Sequence, residues 1–337
     1  TVSRATLHNY DEIERLGLMI GDTVVILRSG DVIPKVKEVL RRLRPRNAKA
    51  FHMPKKCPVC GSPVVRTAGE VQHRCSNPHC EGRMRENIYH FVGKYAFDIK
   101  GLGPKIIDVL SENGLIQDAA DIFSLKKADI EILERFGEKS ASNIIESIDG
   151  AKRQEVWKFL NALGILHIGE ETAHTLSRYF AAHAEGPEYA QGIERHRELR
   201  PHMVFGFFKK LSLSEFERIQ DIGPKVAKSI YEWLHEARHE KFVAKLDNSG
   251  IKLEVPSVRV KQIFKGTTFV FTGELSSLTR DEAKERVRER GGDISESVSA
   301  KTSYVVAGES PGSKYDKAKK LGVAILDEKE FLKILTK

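Results

Sequence analysis

Hydrophobic and polar positions change period three times along the chain. Between residues 17 and 40, short runs alternate on a two-residue period. Ile20-Gly21-Asp22 turns into Thr23 to Arg28, Ser29-Gly30-Asp31 turns back, and Val32 to Val39 returns with alternation after Pro34. From about residue 87 to 253 the period becomes helical, and a short phrase recurs. It reads Ile99-Lys100-Gly101-Leu102-Gly103, then Arg135-Phe136-Gly137, then Ile165-Leu166-His167-Ile168-Gly169, then Ile219-Gln220-Asp221-Ile222-Gly223. Each copy leads into a helical pattern, and amphipathic segments such as His90 to Phe97 and Leu213 to Ile219 come before it. After about residue 265, apolar strands at Phe269 to Gly273, Tyr304 to Gly308 and Val323 to Leu326 alternate with helices at Arg280 to Arg290, Ser313 to Leu321 and Glu328 to Leu335. That order predicts a small parallel sheet.

These patterns predict a multidomain α+β chain. Residues 1–50 form part of a small OB-like β-barrel (an ordinary hairpin is the plainer alternative), 51–86 a metal-bound module, and 87–253 an all-α domain with an insertion at about 181–210. Residues 254–264 are a linker and 265–337 a small α/β domain. The repeated phrase is the signature of a helix-hairpin-helix. Its glycines permit a tight turn and close approach of a ligand, and the helix that follows points N–H groups outward at an anion. Pro104 and Pro224 suit the first helical turn, and Lys105, Lys139 and Lys225 add positive charge there. Such hairpins hold DNA phosphates without reading bases. The third copy carries Glu170 and Glu171 at this place, which predicts a packing role instead.

The four cysteines of the chain, Cys57, Cys60, Cys75 and Cys80, form a C-x2-C and a C-x4-C pair. Two close pairs supply a tetrahedral set of thiolates for structural Zn2+, with no open position for chemistry. Two disulfides, or a ligand place taken by His73 or His79, are the alternatives. His183, His196 and His202 fit either a second metal or scattered surface positions. The net charge of +8 is concentrated near Arg41, Arg42, Arg44 and Arg46, which fits a polyanion partner. Thr272, the Gly273 N–H and Lys314 are a candidate phosphate site. No apolar run is long enough to span a bilayer, and no signal-peptide pattern opens the chain.

On these residues the chain resembles the C-terminal half of bacterial NAD-dependent DNA ligase. The resemblance is carried by Arg4 to Asn9, Gly30 to Pro34, Cys57 to Pro63, Cys75 to Cys80, Asp98 to Gly103, Phe136 to Ala141 and Ala162 to Ile165. Phe271-Thr272-Gly273, Val305 to Gly308 and Gly312-Ser313-Lys314 are similar to a BRCT domain. The resemblance implies nick sealing in duplex DNA during replication and repair, with NAD and Mg2+ acting through a separate nucleotidyltransferase domain. The family's nucleophilic Lys-x-Asp-Gly does not occur in this chain, so the chain is expected to be inactive alone and to begin inside a longer protein. Arg28, Val32 and Ile33 would face the minor groove, and Gly101, Gly103, Lys105, Gly137, Lys139, Gly223 and Lys225 the DNA backbone. A monomeric, cytoplasmic, nucleoid-associated protein is implied. A DNA-binding repair scaffold without catalysis is the alternative, and a nuclease subunit ranks last for want of a carboxylate cluster.

Overall fold

The computed structural model describes residues 2–29, 33–67, 69–134, 136–184, 199–255 and 263–335. Two compact units are present, Thr1–Glu86 and Asn87–Lys337.

In the first unit, helix α1 (Tyr10–Leu16) is capped by Asn9, whose side chain accepts from the Glu12 N–H, and closes at Gly17 in the left-handed conformation. Strands β2 (Val24–Ser29) and β3 (Ile33–Val39) pair antiparallel, with a register shift between Val25 and Ile26. A second ladder joins β1 (Met19–Ile20) to β4 (Lys49–Ala50). Among the described residues these are two separate two-stranded ladders rather than a closed barrel. Arg44 departs from its reading as part of a basic face. Its guanidinium forks onto the Asp22 carboxylate at 2.7 and 2.8 Å and onto the Gly17 carbonyl at 2.7 Å. Hydrogen bonding from Arg44 holds the Asp22 carboxyl below its usual range, so this pair ties the turn after α1 to the segment after β3.

The second unit holds the repeat. Helices α2 (Glu81–Phe91) and α3 (Pro104–Glu112) flank the first hairpin, and α4 (Lys127–Glu131) and α5 (Glu138–Gly150) the second. Helices α6 (Val156–Ala162) and α7 (Glu170–His183) flank the third, and α9 (Leu213–Arg218) and α10 (Pro224–His235) the fourth. The predicted segment from His90 to Phe97 is not a helix. The helix ends at Phe91, and the chain turns back so that Phe97 stacks on Phe91 at 4.2 Å between ring centroids. One continuous apolar core runs through all four hairpins.

The expected insertion divides. Helix α8 (Pro201–Lys209) buries Val204, Phe205 and Phe208 in that core, so its residues are integral to the fold. The residues before Leu199, His196 among them, lie outside the described residues. Helix α11 (Ala237–Asn248) follows, and β8 (Lys252–Glu254) then pairs in parallel with β7 (Arg153–Glu155).

The last domain is a four-stranded, all-parallel sheet. It is ordered β10 (Asp293–Ile294), β9 (Thr268–Thr272), β11 (Tyr304–Ala307), β12 (Ala324–Asp327). Helices α12 (Arg280–Glu289), α13 (Ser313–Leu321) and α14 (Glu328–Leu335) fall within a residue of their predicted bounds. Strand β10 was not expected, because two residues are too few to show a period.

Candidate metal centre and nucleic-acid interface

The cysteine pairs converge. The first lies in a turn closed by the Gly61 N–H donating to the Cys57 carbonyl at 2.9 Å, with Gly61 at φ +72°. The second follows the antiparallel pairing of β5 (Val64–Arg66) with β6 (His73–Cys75). All four sulfurs lie within 4.8 Å of one another, with Cys57 and Cys80 at 3.8 Å and Cys60 and Cys75 at 3.4 Å. A tetrahedral zinc thiolate site places its sulfurs about 3.8 Å apart, so the donor set fits the metal.

Hydrogen bonds from the Ser62 hydroxyl and N–H bring the Cys60 thiol down to about 6, whereas desolvation pushes Cys75 up to about 12. A divalent cation would remove that conflict. Among the described residues no disulfide is formed, and no histidine is part of the sulfur cluster. Of the three histidines that fitted either a second metal or scattered surface positions, the two described ones have separate partners. The His202 Nδ1 meets Asp247 at 2.8 Å, His183 stacks on Tyr179, and His196 lies outside the described residues.

The hairpins share a register that the sequence shows only in part. The residue before each second helix is Gly103, Gly137, Gly169 or Gly223. All four sit in ordinary extended backbone, at φ −77°, −103°, −116° and −82°. A β-carbon on any of them would meet nothing within 4 Å. The left-handed residue of the turn lies two positions earlier. It is Gly101 at φ +86° in the first copy, but His167 at +70° in the third and Asp221 at +61° in the fourth. Sequence reading missed these two, since glycine was the only marker of positive φ it used.

Neither the backbone conformation nor internal packing therefore requires glycine at the cap. Ser, Thr, Asp or Asn would ordinarily stand there and satisfy the first N–H groups. Here no cap side chain bonds to them. The combination suits an external acceptor that comes close to backbone N–H groups. Lys105, Lys139 and Lys225, each at the second helical position, are exposed beside these ends. Val32 lies outside the described residues. Arg28, one residue before the end of β2, pairs with Pro34, and Ile33 pairs with Ser29, close to the hairpin turn.

The candidate phosphate trio is held by internal partners. The Thr272 hydroxyl accepts from the Gly312 N–H at 3.3 Å, and the Lys314 ammonium lies 3.4 Å from a Glu296 carboxylate oxygen. Gly273 has φ +77°, and a β-carbon there would meet the Glu309 carbonyl oxygen at 2.6 Å. That glycine is accounted for by close strand-end backbones, and the geometry lends no support to an anion site at this place.

Comparison with known proteins bears on the same modules. Residues 1–48 match the NAD-dependent DNA ligase OB-fold domain, and 56–81 the NAD-dependent DNA ligase C4 zinc finger domain. Residues 95–149 match the SAM-like helix-hairpin-helix tandem, and 259–335 the BRCA1 C terminus (BRCT) domain. The chain thus carries an OB-fold module and a C4 zinc finger module of the kind found in NAD-dependent DNA ligases. Among its relatives, the DNA ligase of Halothermothrix orenii is 44% identical over 339 residues, which is 99% of this chain and 47% of the relative. That of Koribacter versatilis is 41% identical across 100% of the chain and 47% of the relative, and that of Geotalea uraniireducens 42% across 99% and 46%. The chain spans about half the length of the curated relatives it matches.

Proposed function

We propose that the chain supplies the DNA grip of an NAD-dependent ligase that seals nicks between 5′-phosphate and 3′-hydroxyl ends of duplex DNA. The observation that carries this reading is the set of cap glycines in the first, second and fourth hairpins, which neither conformation nor packing requires and which stand beside exposed lysines. Backbone N–H groups at the starts of α3, α5 and α10 take phosphate oxygens, and Lys105, Lys139 and Lys225 neutralise charge beside them. The hairpin of the first unit, where the family resemblance puts Arg28, Val32 and Ile33, is the further DNA contact of this reading. The zinc thiolates hold their module in shape and do no chemistry. NAD supplies the adenylyl group and Mg2+ assists its transfer, through a nucleotidyltransferase domain whose Lys-x-Asp-Gly this chain lacks.

Grip at a distance from the reacting ends aligns the 3′-hydroxyl with the activated phosphate, and alignment is where binding energy lowers the barrier. The protein acts as a monomer on bacterial DNA in replication and repair, in the cytoplasm. Among the described residues no helix is long and apolar enough to cross a membrane. A scaffold without catalysis is less favoured, because the OB-fold and zinc-finger modules match models specific to the ligases.

The test is binding of nicked duplex across a salt series. Each of Lys105→Ala, Lys139→Ala and Lys225→Ala should weaken binding and lower the slope of log K against log salt by about 0.9. Unaltered slopes in all three would overturn the proposed grip.

A further inference from the structure

The third hairpin differs from the other three at the two positions after its cap glycine. The others carry Pro104-Lys105, Glu138-Lys139 and Pro224-Lys225, and all six residues are exposed. The third carries Glu170-Glu171, and both are half-buried. They are covered by the C-terminal domain. One Arg288 Nη2 lies 2.7 Å from Glu170 and 2.7 Å from Glu171, with its side chain only 7% exposed.

Further contacts surround this one. Asp293 takes Arg178 of α7 at 2.5 Å and the Gln220 amide of the fourth hairpin turn at 3.1 Å. Asp281 takes Lys94 and the Tyr95 hydroxyl, just before the first hairpin. A cavity of about 490 Å3 lies between the fourth hairpin turn, at Asp221 and Ile222, and Thr268, Asp293 and Lys301 of the C-terminal domain.

We propose that the third hairpin has become a docking socket for the chain's own C-terminal domain, and that this domain and duplex DNA compete for the face formed by the third and fourth hairpins. The second half rests on the DNA-binding reading above. Two cations on the hairpin side, Lys94 and Arg178, are held by carboxylates of the C-terminal domain and so are engaged before any outside anion arrives. The Asp293 carboxylate also stands beside the fourth turn, where it repels a phosphate approaching the start of α10. A covalently attached competitor acts at high effective concentration, so weak docking suffices to occupy the face. Arg288 is central to the socket, because its buried charge meets two carboxylates of the hairpin as well as Glu285 of its own helix, and removing Arg288 leaves Glu170 and Glu171 without their shared cation.

The test combines small-angle scattering with DNA titration on the whole chain. Arg288→Glu should release the domain and raise the radius of gyration. Asp281→Lys, at a half-buried position, is a second variant expected to loosen the same face. The triple variant Glu170→Lys, Glu171→Lys, Arg288→Glu should restore the compact state. Arg288→Glu should also bind nicked duplex several-fold more tightly, although it makes the chain less positive, and adding Lys225→Ala should remove that gain. Unchanged scattering for both Arg288→Glu and Asp281→Lys would overturn the socket. A released domain with equal or weaker DNA affinity would overturn the competition. A wild-type chain that bound no duplex at all would overturn the DNA reading and the competition with it, while scattering alone would still decide the socket.

Discussion

Glu328 shows how much one carboxylate can organise. It stands at the start of α14 and accepts from the Ser276 N–H at 2.8 Å, the Ser277 N–H at 2.8 Å and both serine hydroxyls. The Ser277 hydroxyl and the Ser276 N–H bring its carboxyl down from 4.5 to about 2. A depressed carboxylate pKa means that the unfolded chain binds the proton more readily. Its stabilisation is therefore complete above about pH 4.5 and is lost as pH falls towards 2. Glu328→Gln should lower the melting temperature of the C-terminal domain at neutral pH and flatten its acid limb in that window. A variant whose acid limb matched wild type by calorimetry would contradict this assignment. The residue was not singled out in the sequence, because its partners belong to a loop 51 and 52 positions away.

At the scale of the element, the two glycines of the first hairpin do different work. Gly101 is held at φ +86°, whereas Gly103 is extended and has open space around its α-carbon. Gly101→Val should cost about 1–2 kcal/mol of stability, since an L side chain is strained in the left-handed region. Gly103→Val should leave the fold nearly intact and reduce DNA affinity, because its branched side chain obstructs approach to the N–H groups. Thermal melts and duplex titrations on the pair separate the two roles; equal melting losses would argue against the assignment. The repeat itself was legible because cap glycine, flanking apolar residues and helical period recur together. What could not be read was the left-handed turn at His167 and Asp221, where surrounding structure imposes a conformation that the residue type does not advertise. Helix α8 was misjudged for a related reason. Its Val204, Phe205 and Phe208 carry a clear apolar face, but their partners, such as Phe216 and Trp233, are contributed by later helices.

For the whole molecule, modular order was legible and contact between modules was not. The four cysteines gave the metal site from spacing alone, because two short loops leave few other ways to satisfy four thiols. Arg288 belonged to an ordinary charged helix until the fold placed it against residues 117 and 118 positions earlier. The division into units also sets an expectation for zinc. Cys60→Ser should abolish stoichiometric zinc in the purified protein and melt the Thr1–Glu86 unit at lower temperature, with the hairpin core unaffected. Full zinc content in that variant would show that Cys60 is not a ligand.

The parallel pairing of β7 with β8 has a topological consequence. Arg153 and Glu254 are 101 positions apart in sequence yet meet across that ladder. Hairpins three and four thus lie on a single excursion of the chain that leaves and returns at one point, with Leu253 also bonded to Leu199. Closing so long a loop through a non-covalent ladder has an entropy cost that rises only slowly with loop length, and the packing of the hairpins inside the loop offsets it. The ladder also gives the second half of the helical domain a shared doorway: the C-terminal domain departs from the same place where the third hairpin's chain segment begins.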